Sequence, residues 1–478
     1  MQYRDKTSDT ADLVRTAKEI HGITQKHNVP LLINDRVDVA LAIGAEGVHI
    51  GQDDLDLAIA RKLLGERAII GVTACSTEEA VNAAAGGANY LGLGTVFATP
   101  TKENTKSIVG CPGVRSMLNA LANAGHKDVH TVCIGGINTS NAQRVLYQSR
   151  GLEKGLDGIA VVSAIIGDEN PRHAASELRR LIAEPPPFAR TVQTSEEITT
   201  QKIQIEVPAI VKKLVDTTPL CHNMTNLVVQ NIAANVALCI GASPIMSNNG
   251  LEASDLAKLG GSLVINMGTV TPEILQNYLI ALKAYNAAGG PVVFDPVGAG
   301  ATQQRRDAVT KLMTGGYFDV IKGNENEIRT VAGTSGGEQQ RGVDSGVSTL
   351  SLEQKAKLVE DLAKQERNVV LMTGKQDVVS DGSRTLIVEN GHEYLGAITG
   401  SGCCLGTTIA SFLAVHQDDR LMATLAGMLM FELAAEVAAA TDNVHGPGTF
   451  VPAFLDALYA IHKNSASTWC ESARVRQI

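Results

Sequence analysis

Tryptophan occurs once in 478 residues and aromatics make up only 4%, too few for the stacking platforms that read single-stranded nucleic acid. The eight cysteines (75, 111, 133, 221, 239, 403, 404 and 470) include no CxxC pair and no zinc-ligand spacing, so neither a structural zinc nor a disulfide framework is expected. Most of them sit in apolar runs and read as small buried hydrophobes of a reducing compartment. No apolar run of about 18 residues is free of polar interruption, so no membrane-spanning helix is expected. The opening MQYRDKTSD has no signal-peptide pattern. Basic residues are the scarcer sign, 41 against 50 acidic, for a net charge of −9. That disfavours nonspecific nucleic-acid binding, although a local basic cluster can still hold a phosphate. These absences point to a cytoplasmic protein with no nucleic-acid or membrane partner.

What is present is a globular composition, 44% apolar and 19% charged, in a chain long enough for two or three domains. The 46 glycines suit many tight βα turns and close backbone approaches. From residue 1 to about 183, short apolar runs (30–35, 47–52, 68–73, 90–96, 129–136 and 158–165) alternate with stretches whose apolar residues recur three and four apart. Alternating β and α predicts a parallel sheet, and apolar strands that end in polar residues suggest a barrel. With MQYR these make seven strands, so an eight-stranded barrel would lack its first βα unit. Residues 184–204 carry three consecutive prolines and a Ser/Thr/Glu run, which predicts a linker. From 205 to 478 a second alternating pattern (263–268, 291–296, 320–324 and 368–374), followed by long Ala-rich helices, predicts a doubly wound α/β domain.

Polar residues gather where each strand of the first half should end: Gln2-Tyr3-Arg4-Asp5-Lys6, Asn34-Asp35, Gln52-Asp53-Asp54 and Thr99-Pro100-Thr101-Lys102. Barrel enzymes build their sites on that edge, so these residues should converge. Carboxylates from two strands beside Arg and Lys suit a magnesium-bound diphosphate. Gly135-Gly136 and Val162-Ser163 lie at later strand ends, where backbone amides can approach a second phosphate. Each fragment alone is weak, an Asn-Asp after a strand being more often a turn or a helix cap, and His49 alone reads as a packed core residue. In the second half, Thr399-Gly400-Ser401-Gly402-Cys403-Cys404 precedes a long apolar helix. A glycine-rich turn opening a helix aims amides at an anion, and a thiol there is expected to have a lowered pKa and to act as a base. The turn is not a P-loop, because the Lys-Ser/Thr ending is absent.

The segments QYRDK, LLINDRVDVALAIGAEGVHIGQDDL, GVTACS, GTVFATPTK, IGGI and VVSAI resemble thiamine-phosphate synthase over almost all of residues 1–180. The resemblance implies that a hydroxymethylpyrimidine diphosphate is bound by Gln2 to Lys6, Asn34, Thr73 and Lys102. It further implies Mg²⁺ at Asp35 and Asp54, and a thiazole phosphate at Thr99, Pro100, Thr101, Gly136, Val162 and Ser163. Thr73 takes the place of a serine, so a hydroxyl is kept. Residues 210–465, through PLCHNMTNLVVQ, PVVFDPVGAGAT, IKGNENEI, ITGSGC and GPGTF, resemble hydroxyethylthiazole kinase, a ribokinase-like family. Here the resemblance implies Cys403 as the base, Met246 and Gly400 at the thiazole alcohol, Lys322 and Thr373 at ATP, and Asp295 and Glu327 organising Mg²⁺. Lys322 stands where Arg is commoner, keeping charge but losing the bidentate fork. Together the halves resemble the fungal bifunctional thiamine-biosynthetic enzymes, with small-molecule substrates and a trimeric or multiply trimeric assembly implied. Two other readings stay open on the residues alone. One is a kinase for the pyrimidine alcohol, against which the GSGCC turn argues. The other is an active thiazole kinase carrying an inert, ligand-binding or oligomerising barrel.

Overall fold

A computed structural model describes residues 1–99, 108–189, 197–334, 350–464 and 468–478. The chain divides into two compact units, Met1–Pro185 and Pro186–Ile478.

In the first unit seven strands, β1 (Gln2–Tyr3), β2 (Leu32–Asn34), β3 (Gly47–Ile50), β4 (Ile69–Ala74), β5 (Tyr90–Gly94), β6 (His130–Ile134) and β7 (Gly158–Ala160), pair in parallel in sequence order. Helices connect them, as parallel strands require crossovers. The registers Asn34 to His49, Thr73 to Gly92 and Gly94 to Ile134 align the carboxyl ends along one edge. Ile33, Val48, Ile70, Val72, Leu91, Leu93 and Cys133 supply the buried interior. This curled parallel sheet is the barrel-type architecture expected from the alternating pattern.

The second unit holds nine strands. They are β8 (Leu220–Met224), β9 (Ser243–Ile245), β10 (Ser262–Asn266), β11 (Val292–Asp295), β12 (Val320–Asn324), β13 (Val369–Thr373), β14 (Asp377–Ser380), β15 (Thr385–Val388) and β16 (Val475–Gln477). Their order is β16-β15-β14-β13-β12-β11-β10-β8-β9. Strands β9 to β13 are parallel, and the three at the other edge are antiparallel. The order reverses between β8 and β10, the kind of switch point beyond which α/β sheets bind ligands. Alternate strand residues serve opposite cores. Val264, Val293, Val320 and Leu371 face the layer of Ser401–Val415 and Arg420–Ala439, whereas Ile265, Phe294, Ile321 and Met372 face that of Pro272–Ala288 and Leu352–Glu366. Both faces are covered, which is why the strands read as unbroken apolar runs.

One helix and one segment bear on the sequence reading. The Arg420–Ala439 helix is long and apolar enough to cross a membrane by length and composition, and 89% of its apolar window is buried within the fold. It is apolar over most of its surface because protein covers most of it. Within 184–204, Phe188 and Ile198 are buried. Phe188 stacks on Tyr317 with ring centroids 4.5 Å apart, and the Thr200–Thr217 helix starts inside the segment.

Candidate active sites

The carboxyl edge of the first sheet gathers much of the expected set. Asp35 follows β2 with φ +63°, a left-handed conformation that Asp tolerates better than most residues. Its carboxylate meets Lys6 Nζ at 2.8 Å. Asp54 accepts the Gly51 amide at 2.7 Å. Burial, then contact with the Asp35 carboxyl, holds the Asp54 pKa above the ordinary carboxylate value. Two carboxyls pressed together beside a lysine are the donor set a hard cation suits. Among the described residues no third His, Cys, Asp or Glu joins them.

Gln2 donates to Asn34 Oδ1 at 3.3 Å, tying β1 to β2. Arg4 is exposed beside them. Asp5 is spent locally, accepting the Thr7 and Ser8 amides at 2.9 and 3.1 Å, and Tyr3 donates to it at 3.3 Å. Thr73 sits one residue before the end of β4. Its hydroxyl bonds His49 Nε2 at 2.8 Å, and its carbonyl accepts Gln52 Nε2 at 2.7 Å. His49 also meets the Tyr90 hydroxyl at 2.7 Å. The sequence reading left that buried chain out, because a lone histidine in an apolar strand carries no partner information.

Gly136 has φ +68°, and a Cβ there would come within 2.7 Å of Phe97 Cβ. Glycine therefore lets the loop after β6 close on the one that leads to Thr99. Val162 is 54% exposed and, with Ser163, opens the short Ser163–Ile166 helix after β7. Pro100, Thr101 and Lys102 lie outside the described residues.

The second site is more enclosed. Asp295 ends β11, and Lys322 lies next to it on β12; their charged atoms meet at 3.2 Å. Asp295 Oδ2 accepts Asn266 Nδ2 at 2.8 Å, and Asn266 Oδ1 accepts Asn226 Nδ2 at 3.0 Å. Asn226 Nδ2 also approaches Cys403 Sγ at 3.4 Å. A polar chain thus runs from Lys322 through Asp295, Asn266 and Asn226 to the thiol, closed by the helix Ser401–Val415. Gly400 caps that helix with φ +88°, where a Cβ would strike Val229 at 2.4 Å. A Cβ at Gly402 would lie 3.4 Å from Lys322 Nζ, so the first turn stands against the ion pair. The first-turn amides have no partner within the helix and aim at this pocket of charge.

Electrostatics here reverse one expectation. Burial, then the Asp295 charge, pushes the Cys403 thiol up to about 11, against the opposing pull of Lys322 and the two asparagines. Desolvation outweighs the helix end, so the resting thiol is protonated. Cys404 is 2% exposed and packs in the core. Burial opposes the Lys322 charge, but Asp295, Cys403 and Glu327 outweigh it and leave its pKa raised. Glu327 is raised to about 7 by burial and then by Asp295. Its two oxygens accept the Gly298 and Asn324 amides, each at 2.8 Å, so it also ties the loop after β11 to the cap of the helix Glu325–Val331 that follows β12.

Thr373 ends β13 in register with Asn324. Met246 follows β9, half-buried against the core that includes Cys404. Asn226, Asn266 and Arg305 were not singled out by sequence. Arg305 donates to the Met267, Val297 and Gly268 carbonyls at 2.9, 2.8 and 2.8 Å, clamping the loops after β10 and β11. The apolar-to-polar switch at the ends of β8 and β10 hinted at the two asparagines, whereas Arg305 stands in the first turn of the helix Gln303–Gly315, where nothing local marks it.

Comparison with known proteins agrees with this division. Residues 211–464 match the hydroxyethylthiazole kinase family and residues 1–165 match thiamine monophosphate synthase. The probable thiamine biosynthetic bifunctional enzyme of Schizosaccharomyces pombe is 43% identical over 100% of this chain and 92% of its own length. The thiamine biosynthetic bifunctional enzyme of Saccharomyces cerevisiae is 36% identical over 99% of this chain and 92% of its own. A solved hydroxyethylthiazole kinase from Pyrococcus horikoshii, 35% identical, covers 57% of this chain and 99% of its own with a TM-score of 0.50. Full-length relatives with both functions do not favour an inert barrel. Two sites on two folds, matched end to end by such relatives, place this chain in the family of bifunctional thiamine-biosynthetic enzymes, a thiamine-phosphate synthase joined to a hydroxyethylthiazole kinase.

Proposed function

We propose that the second site phosphorylates hydroxyethylthiazole with ATP through Cys403, Lys322 and Asp295, and that the first joins the resulting thiazole phosphate to the pyrimidine diphosphate. The polar chain from Lys322 to Cys403 carries the kinase assignment. In the minor thiolate form of Cys403 the alcohol oxygen attacks the γ-phosphorus, its proton passes to Sγ, and the bond from that phosphorus to ADP breaks. Amides of Ser401, Gly402 and Cys403 face the charge on the transferred group. Gly400 and Met246 hold the thiazole alcohol, and Lys322 and Thr373 hold ATP.

In the first site the bond from the pyrimidine methylene carbon to diphosphate breaks, and the thiazole nitrogen then forms the new bond to that carbon. Arg4, Lys6 and Lys102 offset the charge on the leaving diphosphate, so no protein nucleophile is needed. Gln2, Tyr3, Asp5, Asn34 and Thr73 orient the pyrimidine diphosphate. Thr99, Pro100, Thr101, Gly136, Val162 and Ser163 receive the thiazole phosphate. Asp35 with Asp54, and Asp295 with Glu327, would hold Mg²⁺, which supplies charge neutralisation of phosphate oxygens when bound.

Eight free thiols support a reducing, cytosolic setting. Exposed Leu227 and Val228, directly after Asn226, support a subunit contact beside the kinase site, with a trimer or a multiple of it as the assembly. The decisive experiment assays each half-reaction separately on the purified full chain. Absence of thiazole phosphorylation with ATP and Mg²⁺, or of thiamine phosphate from the two preformed substrates, would sink the corresponding assignment.

A further inference from the structure

One buried acid in the second unit has no place in the chemistry above. Glu432 lies in the Arg420–Ala439 helix, is 3% exposed, and neither of its oxygens meets a conventional donor. The group it faces is another carboxyl, that of Asp377, itself 8% exposed at the start of β14. Two buried carboxylates side by side cannot both ionise, so the pair holds a proton. Burial, then the Asp377 charge, raises Glu432 well above the ordinary range, so the proton rests there. Asp377 Oδ1 is already committed, accepting the Gly374 amide at 2.6 Å. Gly374 directly follows Thr373, at the turn that joins β13 to β14.

We propose that Glu432 is a positioning residue of the kinase site: as a neutral acid it donates a hydrogen bond to Asp377, which holds the Gly374 amide and so sets the turn beginning at Thr373. The role rests on the reading above in which Thr373 contacts ATP. A carboxylic acid buried in an otherwise apolar helix layer is costly unless its hydrogen is used, and Asp377 is where it is used.

The test is steady-state thiazole phosphorylation by the full-length enzyme, with thermal melts to confirm folding. Glu432→Met keeps the volume and removes the donor. It should raise KM for ATP about three- to tenfold, the range of one lost hydrogen bond, with KM for the thiazole alcohol within about twofold of the parent. Glu432→Gln restores a donor toward Asp377 and should recover most of the loss. An unchanged KM for ATP in folded Glu432→Met overturns the proposal, and so does Glu432→Gln as impaired as Glu432→Met. If Glu432→Met does not fold, Asp377→Ala removes the acceptor of the Gly374 amide and must raise KM for ATP in the same range; an unchanged value overturns the role. Thr373→Val, measured alongside, separates the two claims. If it leaves KM for ATP unmoved, the nucleotide reading of this turn falls, and the positioning role falls with it. If Thr373→Val raises KM while Glu432→Met does not, only the positioning role falls.

Discussion

Asp295 and Lys322, 27 residues apart, bring their charged atoms to 3.2 Å from neighbouring strands, and they are 1% and 3% exposed. Each would be intolerable alone in that position, since an unpaired buried charge loses its hydration with nothing in return. Parallel pairing of β11 with β12 is what sets the two side by side.

Breaking this pair should therefore cost stability as well as turnover. Lys322→Met should lower stability by about 3–5 kcal/mol and remove most thiazole phosphorylation. Adding Asp295→Asn should recover much of the melting temperature and none of the turnover, because no stranded charge remains. Denaturant unfolding of the single and double variants, with kinase assays alongside, checks this. A double variant no more stable than the single one would contradict it.

In the first unit, Asp35→Asn with Asp54→Asn should abolish thiamine-phosphate formation and leave thiazole phosphorylation at the parent rate. The melting temperature should not fall far. Mutual repulsion of the two carboxyls is relieved, and the exposed Lys6 partner contributes little. Loss of both activities in a folded double variant would count against separate sites.

Cys403→Ala should slow thiazole phosphorylation about 10²–10⁴-fold, the usual worth of general-base help. Cys403→Asp should recover part or all of it, and Cys404→Ala should cost stability instead. With the thiol held up at about 11, only about 10⁻⁴ of it is ionised at pH 7, rising tenfold per pH unit. The parent single-turnover rate should accordingly climb between pH 7 and 9, and the Cys403→Asp rate should stay nearly flat. A flat parent profile would argue against the thiol as base.

Asp419 caps the Arg420–Ala439 helix through the Met422 amide at 3.0 Å and accepts two bonds from Arg384 at 2.7 and 2.8 Å. Burial opposes its ionisation, but Arg384 and the Met422 amide, with His416 adding to them, outweigh it and hold its pKa below the ordinary carboxylate value. A depressed folded pKa contributes stability above the unfolded value and loses it as pH falls through the folded one. Asp419→Asn should therefore cost about 2 kcal/mol near neutrality and progressively less below about pH 4. Urea unfolding at pH 7 and pH 3 measures the difference; an equal loss at both values would refute it.

Local pattern was enough to reveal the strands of the first sheet and β10 to β13, because buried parallel strands must be apolar and must switch to polar residues where they leave the sheet; β8 and β9, which lead to Asn226 and Met246, were not read as strands. Asn34-Asp35, Asp295 and the glycine turn before Cys403 stand at such switches, so they were legible as candidates one segment at a time. The partners were not. Asn226 meets Asn266 across 40 residues and Cys403 across 177, and nothing local distinguishes them from other strand-end asparagines. The protonation of Cys403 escaped for the same reason: a helix start favours thiolate, but burial depends on what the fold stacks above it. The membrane-like Arg420–Ala439 helix and its buried Glu432 show the limit most plainly. A long, mostly apolar helix looks the same to the chain whether lipid or protein surrounds it, and only the tertiary layers on either side decide.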